Sequence, residues 1–185
     1  MENHIEAANK RSPEEMEKHK CSNLIAVLEE PNFIMNIGNV IRNVNALGVE
    51  RLYVVDSKHL LEDDIAVMRQ RKSLLKHSVS AIKWTDVRRF DSTEECLKAL
   101  EAEGFVSIVT SPHIKGKDNV LLHKGSYTQE KLAVWFGNES NGVSDLAVER
   151  SAFCVNMEMF GMVESMNLAT STGIVLYEVT KQRRF

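Results

Sequence analysis

Leu132-Ala133-Val134-Trp135-Phe136-Gly137-Asn138-Glu139-Ser140-Asn141-Gly142 is an apolar run that stops abruptly at a glycine-framed polar turn carrying one carboxylate. The run reads as a strand and the turn as its exit. In open α/β sheets, ligands sit beyond the carboxyl ends of the strands, where Glu139 falls. The glycines allow the backbone to approach a ligand closely. Taken alone, the same residues also describe a simple strand-to-helix turn. Asn138-Glu139-Ser140 matches a glycosylation sequon, which carries no weight without other signs of secretion.

Outward from this stretch, short apolar runs alternate with helical patterns. Leu24–Leu28, Arg51–Val55, Val79–Trp84, Phe105–Thr110 and Ala152–Val155 read as further strands. Gly38–Leu47, Thr93–Glu103, Ser144–Arg150 and Met166–Lys181 read as helices. The alternation predicts an α/β fold: a mainly parallel sheet with helices on both faces. Residues 1–22 read as an N-terminal leader with a helix start at Ser12-Pro13-Glu14-Glu15, and 23–185 as one domain. No repeat, low-complexity tract or long linker interrupts it.

The chain has 185 residues, 43% hydrophobic and 26% charged, ordinary values for a globular domain able to bury a real core. No apolar stretch approaches the roughly 20 residues that span a bilayer, and the charged N-terminus excludes a secretory signal. Cys21, Cys96 and Cys154 are widely spaced and odd in number, so reduced thiols in a cytoplasmic protein are expected. No residues stand at metal-ligand spacing, and neither GxGxxG nor GxxxxGK[ST] occurs, so no metal, Rossmann site or P-loop is expected. The net charge of −3 argues against avid non-specific binding to nucleic acid. Basic residues nevertheless cluster at Arg69, Arg71, Lys72, Lys76 and His77, and at Lys181, Arg183 and Arg184. Such runs are usually solvated faces; pooled in a dimer, they would form a local patch for RNA.

Two other segments stand apart from plain scaffold. In Asn36-Ile37-Gly38-Asn39-Val40-Ile41-Arg42-Asn43, a turn of about 100° per residue puts Asn36, Asn39 and Asn43 on one helix face with Arg42 beside them. Asparagine is a mediocre helix former, so such a face suits hydrogen bonding to a polar, phosphate-bearing ligand. The plainer alternative has Asn36 capping the helix and Arg42 in a surface ion pair. In Met157-Glu158-Met159-Phe160-Gly161-Met162-Val163-Glu164-Ser165-Met166-Asn167, methionines crowd the approach to the last helix, which Ser165 or Asn167 can cap. By composition alone, such a methionine-rich stretch is more often adaptable core than a cofactor pocket.

Together and in order, N-x-x-x-x-x-R at Asn36–Arg42, FGNES-x-G at Phe136–Gly142 and M-x-M-x-G-x-x-x-S-M-N-L at Met157–Leu168 resemble the SpoU/TrmH family of RNA ribose 2′-O-methyltransferases, in the SPOUT superfamily. The resemblance runs from about Asn23 to the C-terminus. Thr110-Ser111-Pro112-His113 is similar to the family's first cofactor loop. Two details depart: Met157-Glu158-Met159 stands where many members have I-P-M, and Asn167-Leu168-Ala169 where they have N-V-S.

The resemblance implies a C-terminal deep trefoil knot, a homodimer with catalytic residues near its interface, and S-adenosylmethionine as cofactor. It implies catalytic roles for Asn36, Arg42, Glu139, Ser165 and Asn167, and cofactor binding at Thr110, Gly137, Met157 and Met166. Arg42 would act as the base, or would bind the neighbouring phosphate and stabilise the developing alkoxide. The implied activity is methyl transfer to a ribose 2′-hydroxyl, on transfer RNA in preference to ribosomal RNA, which the short leader and tail suit. A silent RNA-binding paralogue is the alternative from another class; retention of all five polar positions argues against it. An unrelated nucleotide-binding α/β protein would need a Gly-rich loop after the first strand, and Pro31-Asn32-Phe33-Ile34-Met35-Asn36 is not one.

Overall fold

Strand β1 (Cys21–Glu29) sends alternate side chains into two different cores. Leu24, Ala26 and Leu28 join one apolar cluster, while Ile25 and Val27 join the other. This follows from the two-residue period of a strand, and a strand apolar on both faces needs cover on both sides. The computed structural model describes residues 13–116 and 118–184. In it, β2 (Val49–Val55), β3 (Asp86–Phe90), β4 (Val106–Thr110), β5 (Asn119–Leu121), β6 (Leu132–Phe136) and β7 (Cys154–Asn156) complete a seven-stranded sheet ordered β3-β2-β1-β6-β4-β7-β5. Every pairing is parallel.

Helices α2 (Ile34–Ala46), α4 (Lys72–His77) and α7 (Leu168–Arg184) cover one face, while α5 (Thr93–Ala102) and α6 (Asp145–Glu149) cover the other. The short α1 (Pro13–Lys18) and α3 (Ile65–Met68) complete the helices. The expected α/β architecture is therefore present. No helix among the described residues is long and apolar enough to cross a membrane.

One expected strand is misplaced. Val79–Trp84 contains a 3-10 turn at Ala81–Lys83, and the strand follows at Asp86–Phe90. Val79 and Ser80 have φ of 50° and 65°, left-handed values that end any extended run. The true strand escaped notice because it is a charged edge: Arg89 pairs with Asp63 and Asp91, and Arg88 lies over the rings of Tyr53 and Phe90. Charged edges blunt strand-to-strand aggregation, which hides them from a hydrophobicity reading. β1 also begins at Cys21, inside the stretch read as leader; Ser12 lies outside the described residues.

Two polar anchors brace this frame. Glu29, 3% exposed at the end of β1, accepts from Thr93 Oγ1 (2.5 Å), Ser144 Oγ (2.6 Å) and Ser144 N (2.7 Å). It ties the starts of α5 and α6 to the sheet, and its buried charge is matched by donors on two elements. At the other end of the chain, Arg183 donates to the carbonyls of Tyr127 (2.8 Å), Gln129 (2.7 Å), Glu130 (3.1 Å) and Asn23 (3.3 Å). Arg184 donates to those of His19 (2.7 Å) and Leu47 (2.6 Å). Both arginines are thus tied into the frame through backbone carbonyls, Arg183 by its two terminal nitrogens and Arg184 by one, while Arg184 stays exposed. Arg183→Ala is expected to cost about 2 kcal/mol or more in urea denaturation. A loss within about 0.5 kcal/mol, the usual range for a surface change, would return Arg183 to the surface.

Candidate functional site

The turn after β6 is built so that only glycine can close it. Asn138 and Gly142 exchange backbone hydrogen bonds of 3.2 and 3.1 Å, and Asn138 Oδ1 accepts from Ser140 N (2.9 Å) and Asn141 N (2.6 Å). A Cβ on Gly137 would lie 1.9 Å from the Gly142 carbonyl carbon. This tight loop carries Glu139 back toward the first turn of α2, where free N–H groups favour a negative charge.

There the carboxylate is held from two sides. Glu139 Oε2 accepts from Asn32 N at 3.1 Å, and Oε1 accepts from Asn36 Nδ2. Asn36 is 6% exposed and lies inside the helix; the residue in the cap position is Phe33, so the capping alternative for Asn36 falls. Asn36 Oδ1 in turn accepts from Asn167 Nδ2 at 3.4 Å. Asn167 Oδ1 accepts from Ala169 N at 2.9 Å, which caps the start of α7. Further along α2, Asn43 Nδ2 donates to Ala169 O at 2.6 Å. The asparagine face of α2 is therefore a polar seam against the start of α7, and one amide–carboxylate chain joins segments more than a hundred residues apart.

Beside this chain lies a cavity of about 570 Å³ at the carboxyl ends of β4, β6 and β7. Thr110, Gly137, Glu139, Met157, Ser165, Met166 and Asn167 all line it. Phe136, Val155, Met159 and Leu168 add apolar wall, while the loops around Ser111 and Asn138 add polar edge. Its volume and mixed lining suit a ligand with a flat apolar part and charged ends. The Thr110 hydroxyl donates to Trp135 O (2.9 Å), which leaves its oxygen able to accept but not to donate to a ligand. Among the described residues, no group of three or more His, Cys, Asp or Glu side chains is placed to hold a metal.

Two of the expected residues lie outside the cavity wall. Asn36 reaches it through Glu139 and Asn167, whereas Arg42 is exposed on the outer flank of α2 and has no hydrogen-bond or ion-pair partner among the described residues. Sequence reasoning missed Asn32, whose side chain also donates to Ser140 Oγ (3.2 Å) and accepts from Lys58 (3.0 Å). It missed Asn156 as well, whose amide donates to Ser111 O and His113 O, both at 2.9 Å, and so shapes the loop after β4. Neither sits in a pattern that sequence spacing could flag.

A family model described as the SpoU rRNA Methylase family matches residues 23–177. The chain belongs to that family. It is 27% identical over 181 residues to a tRNA (guanosine(18)-2′-O)-methyltransferase of Aquifex aeolicus, covering 97% of this chain and 78% of the relative. It is also 27% identical over 154 residues to a 23S rRNA (adenosine(1067)-2′-O)-methyltransferase of Streptomyces azureus, covering 83% and 53%. Among solved structures, one described as giving insight into 2′-OH methylation of C/U34 on tRNA superposes with a TM-score of 0.69 at 28% identity, over 86% of this chain and 95% of the other. The SpoU methyltransferase AviRb of Streptomyces viridochromogenes, solved with AdoMet, superposes at 0.73 with 24% identity, over 88% and 61%.

Gly137 has a plain steric reason here. Gly137→Ala is expected to force the turn open and lower stability by about 1–3 kcal/mol. A denaturation midpoint equal to that of the unaltered chain would show that the turn can bend to accept a methyl group.

Proposed function

We propose that this chain is an S-adenosylmethionine-dependent methyltransferase acting on a ribose 2′-hydroxyl of RNA, with tRNA preferred over rRNA. The observation that carries this reading is the Asn167–Asn36–Glu139 chain at the cavity mouth, which unites the three segments that resemble the family signature. The tRNA preference is supported by the tRNA enzyme of Aquifex aeolicus, which the match spans more fully than it does the rRNA enzyme of Streptomyces azureus.

The residues present fit the cofactor. The cavity is large enough, methionines and other apolar side chains offer a surface for a flat base, and Thr110, Gly137, Met157 and Met166 would hold it. S-adenosylmethionine, when bound, supplies an electrophilic methyl group on sulfur. The remaining work falls to the chain. Asn36, Glu139, Ser165 and Asn167 fix the ribose and the cavity loops at near-attack geometry. Because a guanidinium holds its proton firmly, Arg42 binds the adjacent phosphate and stabilises charge developing on the 2′-oxygen more readily than it acts as a base.

Arg42 lies off the cavity of its own chain, and a homodimer accounts for that. Phe160, Val163, Ile174 and Tyr177 form an exposed apolar rim on the cavity loop and α7, up to 91% exposed at Phe160, which a second copy would cover. The reading also includes the C-terminal deep trefoil knot, supported by β6 entering the sheet between β1 and β4 and β7 entering between β4 and β5. It further includes the single domain from residue 23 and a place in the cytoplasm.

The test is transfer of labelled methyl to unmodified tRNA and, separately, to rRNA, followed by nucleoside analysis. A 2′-O-methylated nucleoside from tRNA is expected. Label on rRNA alone changes the substrate; label on neither, with cofactor still bound, makes the chain a silent RNA-binding paralogue. Arg42→Ala should lower transfer by about 100-fold or more with cofactor affinity nearly unchanged. Mixing Arg42→Ala with Glu139→Gln should restore part of the activity if Arg42 acts across the dimer, and no recovery would keep its action within one subunit.

A further inference from the structure

Helix α2 is flanked by α7 on one side and α4 on the other, and the two flanks differ in character. Toward α7 lies the asparagine seam. Toward α4 lie several basic side chains without ion-pair partners among the described residues. Most basic side chains in the described residues are engaged: Arg51 with Glu103, Arg71 with Glu62, Arg89 with Asp63 and Asp91, Arg150 with Glu101, and Arg183 and Arg184 with carbonyls. Apart from Lys18, Lys124 and Arg88, which lies over the rings of Tyr53 and Phe90, those without a hydrogen-bond or ion-pair partner among the described residues are Arg42, Arg69, Lys72, Lys76 and Lys83, and each is exposed.

Arg42, Lys72, Lys76 and Lys83 stand on three elements that pack together, and Arg69 precedes Lys72 by three residues. Helix α4 meets α2 at Gly38, where an added Cβ would lie 2.6 Å from His77 Cβ. Arg42 stands one helical turn beyond Gly38 on the same flank. Lys72 and Lys76 are also one turn apart, on one face of α4. The 3-10 turn Ala81–Lys83 packs against both helices through Ala81 and Ile82, leaving Lys83 and then Trp84 outside. Trp84 is 67% exposed, whereas Trp135, the other tryptophan, is fully buried. An open indole among unpaired lysines matches the two needs of a nucleic-acid strand: cations for phosphates and a flat ring for a base.

We propose that α4 and the turn at residues 81–84 form the track along which the substrate RNA approaches Arg42. Arg69, Lys72, Lys76 and Lys83 meet phosphates, and Trp84 stacks on a base. This rests on the RNA methyltransferase reading and deepens it by naming the surface that receives the substrate. It also explains how a chain of net charge −3 handles a polyanion: the positive charge is local and left unneutralised.

The chain carries its own probe. With unmodified bulk tRNA and rRNA as the RNA pools, binding should quench Trp84 emission and shield it from acrylamide, since Trp135 is already inaccessible. Lys72→Ala, Lys76→Ala and Lys83→Ala combined should weaken RNA binding about tenfold or more and flatten the slope of log affinity against log salt by about two to three, with cofactor binding retained as the check on folding. Trp84→Ala should lose about fivefold or more in affinity with the salt slope unchanged. RNA binding that leaves Trp84 open to acrylamide, or a triple variant with unaltered affinity and slope, overturns the track while the methyltransferase reading stands. Failure of both pools to bind removes the RNA reading and the track together.

Discussion

The contact between Asn36 and Glu139 is the constraint on which the rest of the site depends. It is made by the first turn of a helix that follows β1 and by a turn that follows β6, adjacent strands at the centre of the sheet. Because β1 and β6 pair from Leu24–Leu132 to Leu28–Phe136, their carboxyl ends finish level, and whatever follows them must meet. The chain uses that meeting to place a carboxylate against an amide rather than two apolar side chains. The arrangement holds only if the turn is tight enough, hence Gly137, and if the amide is held from its other side, hence Asn167.

The same crossing of strand ends explains why the cavity lies where it does. Loops from β4, β6 and β7 open on one edge of the sheet, and α7 closes over them from the asparagine seam. Glu29 does the corresponding work on the opposite face by fixing the starts of α5 and α6. A buried carboxylate with three donors is costly to break, so the frame around the cavity is stiff where the loops themselves are exposed. Stiff strand ends and adaptable loops are what a site needs if it must hold a small ligand and also admit a large one.

The sequence made the architecture and most of the site legible because both rest on strong local signals. Apolar runs such as Leu132–Phe136 announce central strands, and the asparagines on one face of α2 announced a polar duty before any partner was known. What stayed hidden depended on long-range closure. β3 reads as a charged segment since its burial comes from being an edge beside β2, and its start is set by two left-handed residues that no periodicity reveals. Asn32 and Asn156 look like ordinary loop asparagines until the chain brings Glu139 and the loop after β4 to them. Arg183 shows the converse: basic residues at a helix end suggest a surface, and only the fold shows which carbonyls converge there.

Glu158 shows how a departure from a family pattern can be absorbed. Proline at that position would fix φ and stiffen the cavity loop through the backbone. Here Glu158 faces His123 Nδ1 at 3.7 Å, so the loop is tethered through a side chain to the short turn after β5 when that imidazole is protonated. Glu178 of α7 lies near the same histidine and lends it a second negative neighbour, and its own carboxyl is held below its usual range, chiefly by Gln182. The tether is exposed, screened by salt, and worth little beside a covalent restraint. The residues that line the cavity on either side of this loop are held by other means, through Asn156 on one side and Asn167 on the other.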